Sequence, residues 1–241
     1  MIHPTAHVSP ESVLADDVTV GPFTVIHAGV ELGPGTTVGS HCVLGEPGPG
    51  GPQPLSIGAG ATIRSHCVLY AGSTFAERLE TGHHATIREG VQAGTNLRVG
   101  THADLQGDCR IGEYVRCHSS VFVAKGSRLG DFAWLFPRVV LTDDPRPPSD
   151  ELQAPVIEEY AVLGAGAVIL PGRVVGAGAV VAAGSVVAVD VPAGALSVGV
   201  PARVSRSAAE IRMGDGSPAY PWRTRFHRGY PQDVIDRRLD A

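Results

Sequence analysis

Residues 57–111 read IGAGATIRSHCVLYAGSTFAERLETGHHATIREGVQAGTNLRVGTHADLQGDCRI, and one count along them decides the fold. Every sixth residue is apolar except Thr81: Ile57, Ile63, Leu69, Phe75, Thr81, Ile87, Ala93, Val99, Leu105 and Ile111. Four residues after most of these comes a small side chain: Ala61, Cys67, Ser73, Ala85, Ala103 and Cys109. Two inward positions in every six suit a short strand followed by a corner. Neither a helical period of 3.6 nor an unbroken period of two would give this pattern.

Worked outward, the same count runs back through Leu44, Val38 and Leu32 to Ile2, and forward through Cys117 and Leu135 to Leu141. It breaks at GEPGPGGPQPLS (45–56) and again at TDDPRPPSDELQAP (142–155). After the second break it is picked up at Val156 and runs through Val162, Val168, Val174, Val180, Val186, Pro192 and Val198 to Val204. Of these 32 positions 27 are Ile, Leu or Val, whereas their share of the chain (57 of 241) would supply about eight by chance. Three strings close a triangular coil of 18 residues. The count therefore predicts an all-β solenoid, a parallel β-helix of about ten coils and roughly 50 Å tall at about 4.8 Å per rung. Residues 1–204 form this unit, with excursions at 45–56 and 142–155. The tail, 205–241, differs: SRSAAEIRM predicts a short helix, and the bulky, arginine-rich stretch after it suits a cap on the open end.

Composition agrees. With 31 glycines and 5% aromatic residues, the core must be narrow and filled by small aliphatic side chains. A net charge of −5, from 19 basic and 24 acidic residues, leaves no electrostatic footprint for nucleic acid. The absence of an 18-residue apolar run points to a soluble, cytoplasmic protein without a membrane partner. Cys42, Cys67 and Cys109 fall in the small inward column and Cys117 in the aliphatic one, which predicts buried structural thiols.

A solenoid has no cleft of its own, so chemistry must come from edges, loops and neighbouring subunits. None of the ten histidines takes an inward position in the repeats. His66, His84 and His102 are spaced by 18 residues and so stack at one corner of three successive coils, with Ser120 in the next. Ser65, His83, Thr101 and Ser119 run beside them, and His118 stands one position earlier. An imidazole, with an ordinary pKa of about 6.5, can accept a proton near neutrality. This makes His83, His84, His102 and His118 the candidate catalytic residues, the alternative being a hydrogen-bonded ladder along the edge. Asp143 and Asp144 head the second excursion, where carboxylates would bind an acceptor's ammonium or hydroxyls or else cap their own turn. Gly164, Gly166 and Gly184 stand near late corners, where small residues would let a flat, narrow ligand lie against the backbone or would simply relieve a tight turn.

The six-residue period resembles that of the hexapeptide-repeat acyltransferases, and the resemblance implies a left-handed β-helix and a homotrimer with sites between adjacent prisms. DVPAGALSVGVPARV (190–204) looks like the closing coil of the acetyltransferases among them. Where these often read G-N-P-A-[KR], this chain reads Gly199-Val200-Pro201-Ala202-Arg203, which implies a position for Pro201 and Arg203 near the nucleotide of a coenzyme. LYAGSTF (69–75), LETGHHATIREG (79–90), VRCHSSVFV (115–123) and LGDFAWLFPRVVLTDDPRPPS (129–149) resemble a group that modifies nucleotide-linked amino sugars, in which His83, His102 and His118 match histidines. Over roughly residues 57–204 the resemblance implies N-acetylation of such a sugar by acetyl-CoA, with no metal; O-acetylation of a sugar or small alcohol is the nearest alternative. One departure stands out. A related branch carries its catalytic histidine in a [VI]-E-H-D-C string, and here Leu105-Gln106-Gly107-Asp108-Cys109 puts Gly107 in its place, which leaves another histidine, Asp108, a loop carboxylate or no strong base at all. The same solenoid also hosts zinc hydratases resembling γ-class carbonic anhydrases. His66 and His102 share a corner as such a site would need, but Gly107 stands where a second histidine five residues after His102 would be. A solenoid that only scaffolds partners is the third reading.

Overall fold

The computed structural model describes residues 1–51, 53–220, 222 and 230–239. Short strands, most of two residues, stack into three parallel sheets that form the faces of a prism. The first face contains Thr62–Ile63, Glu80–Thr81, Arg98–Val99, Arg116–Cys117 and Trp134–Leu135; the second contains Thr86–Ile87, Asp104–Leu105 and Phe122–Val123; the third contains Gln92–Ala93, Arg110–Ile111 and Arg128–Leu129. Among the described residues the first, second and third faces hold eleven, ten and nine strands, so the predicted parallel β-solenoid of about ten coils is borne out.

Within the two-residue strands the first residue is the outer one and the second points inward, the period-two rule at its shortest. Ile87, Leu105 and Val123 are fully buried one above another, as are Ala85, Ala103 and Val121 in the small column beside them. Uninterrupted coils pair residues 18 apart, such as Leu105 with Val123. Across the first excursion the offset is 25 (Val43 beside Val68), and across the second it is 28 (Arg128 beside Val156), so the loops lengthen those coils by seven and ten residues. The core tolerates them because both leave from corners.

The second offset corrects the sequence count. Leu129 pairs with Ile157, and the inward residues after the excursion are Ile157, Leu163, Ile169, Val175, Val181 and Val187, each one position later than the count from Val156. Doublets such as Val180-Val181 and Val186-Val187 offer an aliphatic side chain on both faces, so composition cannot choose between them and only register does. The count through Val198 and Val204 also fails. Ala195–Gly199 is the last parallel rung, Ala202–Ser207 turns back antiparallel to it, and Val198 and Val204 are exposed. The four cysteines are buried and free.

Beyond the hairpin, a 3-10 turn at Ala208–Glu210 is closed by a capping box from Ser207 and Glu210. The helix Gln232–Leu239 then follows. Trp222, Tyr230 and Val234 pack on a second apolar cluster outside the prism, formed by Tyr114, Phe132, Tyr160, Val162, Val180 and Leu196. Tyr114, Phe132 and Tyr160 stack on one edge with ring centroids 5.1 and 5.0 Å apart, and the Trp222 indole donates to the Tyr160 carbonyl at 3.1 Å.

Candidate functional site

The edge between the first and second faces carries the chemistry. At its corner the chain takes the left-handed conformation in successive coils, with φ of 56° at His41, 62° at His66, 54° at His84, 56° at His102, 58° at Ser120 and 62° at Arg138. Short polar side chains and histidine enter this region more readily than branched ones, which gives a physical reason for histidine here. In later coils the same corner is taken by Gly166 and Gly184. The strand pairings Trp134–Val162 and Val162–Val180 carry the register straight through. The predicted histidines and the predicted glycines are thus successive stretches of one edge.

The exposed rings of His41, His66, His84 and His102 form a continuous stack, with centroids 4.9, 4.6 and 5.0 Å apart. Loss of water within the stack, and then the imidazoles of His66, His102 and His83, lower the pKa of His84. His83 stands clear of the stack. Its Nδ1 lies 2.8 Å from Ser65 Oγ, and its backbone N–H donates to Thr101 Oγ1 at 3.2 Å. When Nδ1–H donates to the serine, the Nε2 lone pair is left facing solvent, which is the arrangement a base needs. His118 is differently held. Trp134 Nε1–H donates to its Nε2 at 2.6 Å, and its ring stacks on Phe136 at 5.0 Å. An indole only donates, so the proton of the neutral imidazole is on Nδ1 and its lone pair is already engaged. Burial, and then the Arg116 guanidinium, lower the His118 pKa.

His83, His118 and Trp134 line a cleft of about 500 Å³ on the first face, together with Arg64, Arg98 and Arg116. Its floor is tight: a Cβ on Gly82 would lie 2.2 Å from the Thr101 amide nitrogen, and one on Gly100 would lie 2.3 Å from the His118 carbonyl carbon. Glu80 bridges Arg64 and Arg98 at 3.0 Å each, which leaves one positive charge of that trio uncompensated. Arg116 is buried, bonded to Asn96 O at 2.6 Å and Oδ1 at 2.8 Å, and burial lowers its pKa to about 10. The cleft therefore suits an anionic ligand with a ring or sugar. The sequence reading missed Arg64, Arg98 and Trp134, although all three lie on or beside outward rungs that the 18-residue count makes neighbours.

The remaining candidates lie elsewhere. Asp143 and Asp144 line a separate cleft of about 510 Å³ with Phe122, Leu170 and Pro171, and within one chain they do not meet His83. Asp144 caps its own loop, accepting from Ser149 Oγ at 2.7 Å, Ser149 N at 2.8 Å and Arg146 N at 2.9 Å. Asp108 pairs with Lys125 at 3.1 Å on the opposite edge of the second face. Gly107 beside it has φ +97°, and a Cβ there would lie 2.7 Å from Glu89 O, so this backbone excludes the histidine of the related branch. Pro201 and Arg203 lie in and beside the turn of the C-terminal hairpin, and Gly199 N donates to Ser185 Oγ at 3.0 Å, which ties that turn to the coil of Gly184. Asp104 was not anticipated. It is the one carboxylate in an outward row of Val25, Val43, Val68, Thr86, Phe122, Val140, Val168 and Val186; it accepts from Gln106 Nε2 at 2.9 Å, and burial raises its pKa. A wider cleft, about 1050 Å³, lies on the third face over Arg110 and Arg128 and holds none of the predicted residues. Among the described residues no three His, Cys, Asp or Glu side chains converge as a metal-ligand set, and no helix is long and apolar enough to cross a membrane.

The coils make the chain a parallel β-solenoid built from six-residue strings. The family described as bacterial transferase hexapeptide (six repeats) matches residues 11–46 and 154–188. An acyl-[acyl-carrier-protein]–UDP-N-acetylglucosamine O-acyltransferase from Saccharophagus degradans is 38% identical over 131 residues, which make up 54% of this chain and 48% of that protein. The chain thus matches about half the length of this curated relative. The crystal structure of an Arabidopsis UDP-N-acetylglucosamine acyltransferase superposes with a TM-score of 0.67 at 20% identity, covering 86% of this chain and 74% of that one; this likeness is one of fold.

Proposed function

We propose that the protein is an acyltransferase that moves an acyl group from a phosphopantetheine thioester to a nucleotide-linked amino sugar. The observation that carries this reading is the continuity of one edge, where an exposed histidine stretch runs into a smooth glycine stretch beside an arginine-lined cleft. The glycine stretch suits a narrow pantetheine arm, and the cleft suits an anionic sugar nucleotide. His83 Nε2 takes the proton from the acceptor's amine or hydroxyl as that atom attacks the thioester carbonyl. The C–S bond then breaks, and the His83 imidazolium returns that proton to the departing thiolate, giving the thiol and restoring the neutral base.

The sequence resemblance favours acetyl-CoA and an amine acceptor. The Saccharophagus relative is named for an acyl-carrier-protein donor and a hydroxyl acceptor, and O-acylation is the second reading on that ground. Both donors present the acyl group on a pantetheine thiol, so the edge serves either. A homotrimer, whose neighbouring prism would wall the open side of the cleft, and a cytoplasmic setting belong to the same reading.

The test pairs acetyl-CoA or an acyl carrier protein thioester with UDP-N-acetylglucosamine or a UDP sugar bearing a free amine. Thiol release and product mass are followed, and hydroxylamine separates ester from amide. One donor–acceptor pair should turn over, and His83→Ala should slow it by about 10²–10⁴-fold. Thiol release unaffected by His83→Ala would remove His83 from the chemistry, and no release from any pair would end the reading.

A further inference from the structure

The ring stack on the edge is interrupted in an informative way. From Phe23 through His41, His66 and His84 to His102 the centroids are 5.1, 4.9, 4.6 and 5.0 Å apart and the planes lie within 23° of parallel. The coil sets this spacing, because each ring rides on one rung. Ser120 is next, at the same left-handed corner with φ 58°, but it has only a hydroxymethyl group. Arg138 follows one rung later, at φ 62°. Both are exposed. Among the described residues nothing stacks on the far side of the His102 ring, and no side-chain hydrogen bond or ion pair engages the Arg138 guanidinium.

We propose that the level of Ser120 is a seat for the base of a nucleotide, stacked on His102 with its phosphate held by Arg138. A guest ring there would inherit the rung spacing of the four ring contacts before it. One face of every purine or pyrimidine can stack on an imidazole whatever its hydrogen-bonding edge. The guanidinium, one rung of about 4.8 Å further on, is within reach of a 5′-phosphate and presents the paired donors that phosphate takes. The seat adjoins the cleft of His83 and His118 on one side and the glycine stretch on the other. The base therefore belongs either to an adenine-bearing donor such as a coenzyme or to the nucleotide that carries the acceptor. This deepens the acyl-transfer reading by giving its nucleotide a position. It is tested by binding alone, so a failure to find turnover leaves the test intact.

The experiment is ligand-observed NMR titration of the full chain with AMP, UMP, adenosine and uridine. The wild type should bind at least one nucleotide; preference for AMP assigns the seat to the donor, and preference for UMP to the acceptor. His102→Ala should weaken binding about tenfold. Arg138→Gln should leave nucleoside binding in place and abolish the advantage of nucleotide over nucleoside. Ser120→Tyr fills the seat with the chain's own ring. Tyr114 and Tyr160 already occupy left-handed corners at φ 56°, so this variant should fold, melt no lower than wild type, and lose nucleotide binding. Binding of neither nucleotide at millimolar concentration overturns the proposal. So does a folded Ser120→Tyr variant that binds as the wild type does.

Discussion

At His118 the bond from the Trp134 indole decides protonation as well as orientation, because the donor fixes which ring nitrogen keeps the lone pair in use. His83 and His118 line the same cleft, yet only His83 has a nitrogen that can be left open. His118→Phe, which keeps a ring on Phe136, should therefore retain turnover to within about tenfold, far milder than the loss expected for His83→Ala. The titration of His118 adds a pH signature. Burial and Arg116 lower its folded pKa below the ordinary 6.5, so in the window beneath that value the unfolded chain binds more protons than the native one. The contribution of His118 to stability is thus whole above about pH 6.5 and is lost as pH falls toward the lower folded value. Urea midpoints measured from pH 8 to pH 5 should fall less steeply for His118→Phe than for wild type. Parallel slopes would show that the imidazole is not held neutral.

The elements show what could be read in advance and what could not. Ile87, Leu105 and Val123 announce their rungs because each is separated from the next by one full coil with nothing inserted. His66, His84 and His102 were legible as one corner for the same reason. His41 belongs to that corner too, but the seven added residues of the first excursion break the count, and the ten of the second hide that Gly166 and Gly184 continue the same edge. The phase after residue 155 could not be read at all, since Val-Val doublets satisfy both faces. The His118–Trp134 bond lies beyond any periodicity, as it depends on rotamers. The second excursion has a local order of its own, centred on Asp144. The Ser149 hydroxyl, and then the amides of Arg146 and Ser149, lower its pKa. A depressed carboxylate contributes order that is present above its unfolded pKa, here 3.8, and lost as pH falls through the folded value. Asp144→Ala should therefore raise hydrogen exchange at the Arg146 and Ser149 amides at neutral pH, with the melting temperature shifted by only a few degrees at most. Wild-type protection at those amides should decline toward the variant's on acidification to about pH 3. Unchanged protection in the variant would mean that other contacts order the loop.

In the whole molecule each coil touches only its neighbours, so stability spreads along the prism as a sum of local terms. The C-terminal cap interrupts that uniformity. Trp222 is buried against Tyr160 and Trp134, with ring centroids 5.6 Å away in each case, and Trp134 in turn holds His118 in the cleft. The cap is therefore coupled to the site through the Trp134 indole, and also through Tyr230, whose ring lies 4.8 Å from the Arg116 guanidinium of the cleft. Trp222→Ala should cost about 3–5 kcal/mol where it packs, the usual range for a buried Trp truncated to Ala. The loss should not be shared evenly. Hydrogen exchange should accelerate in the coils between Tyr114 and Tyr160 and leave the coils from Ile26 to Ile63 near their wild-type protection. The freed Trp134 should let His118 turn, raising KM for the acceptor more than it lowers kcat, because the cleft is loosened while His83 keeps its bond to Ser65. An even loss of protection from first coil to last would instead mark the prism as one cooperative block. The tail would then stabilise the chain globally, and the site would have to be insulated from it by something other than distance.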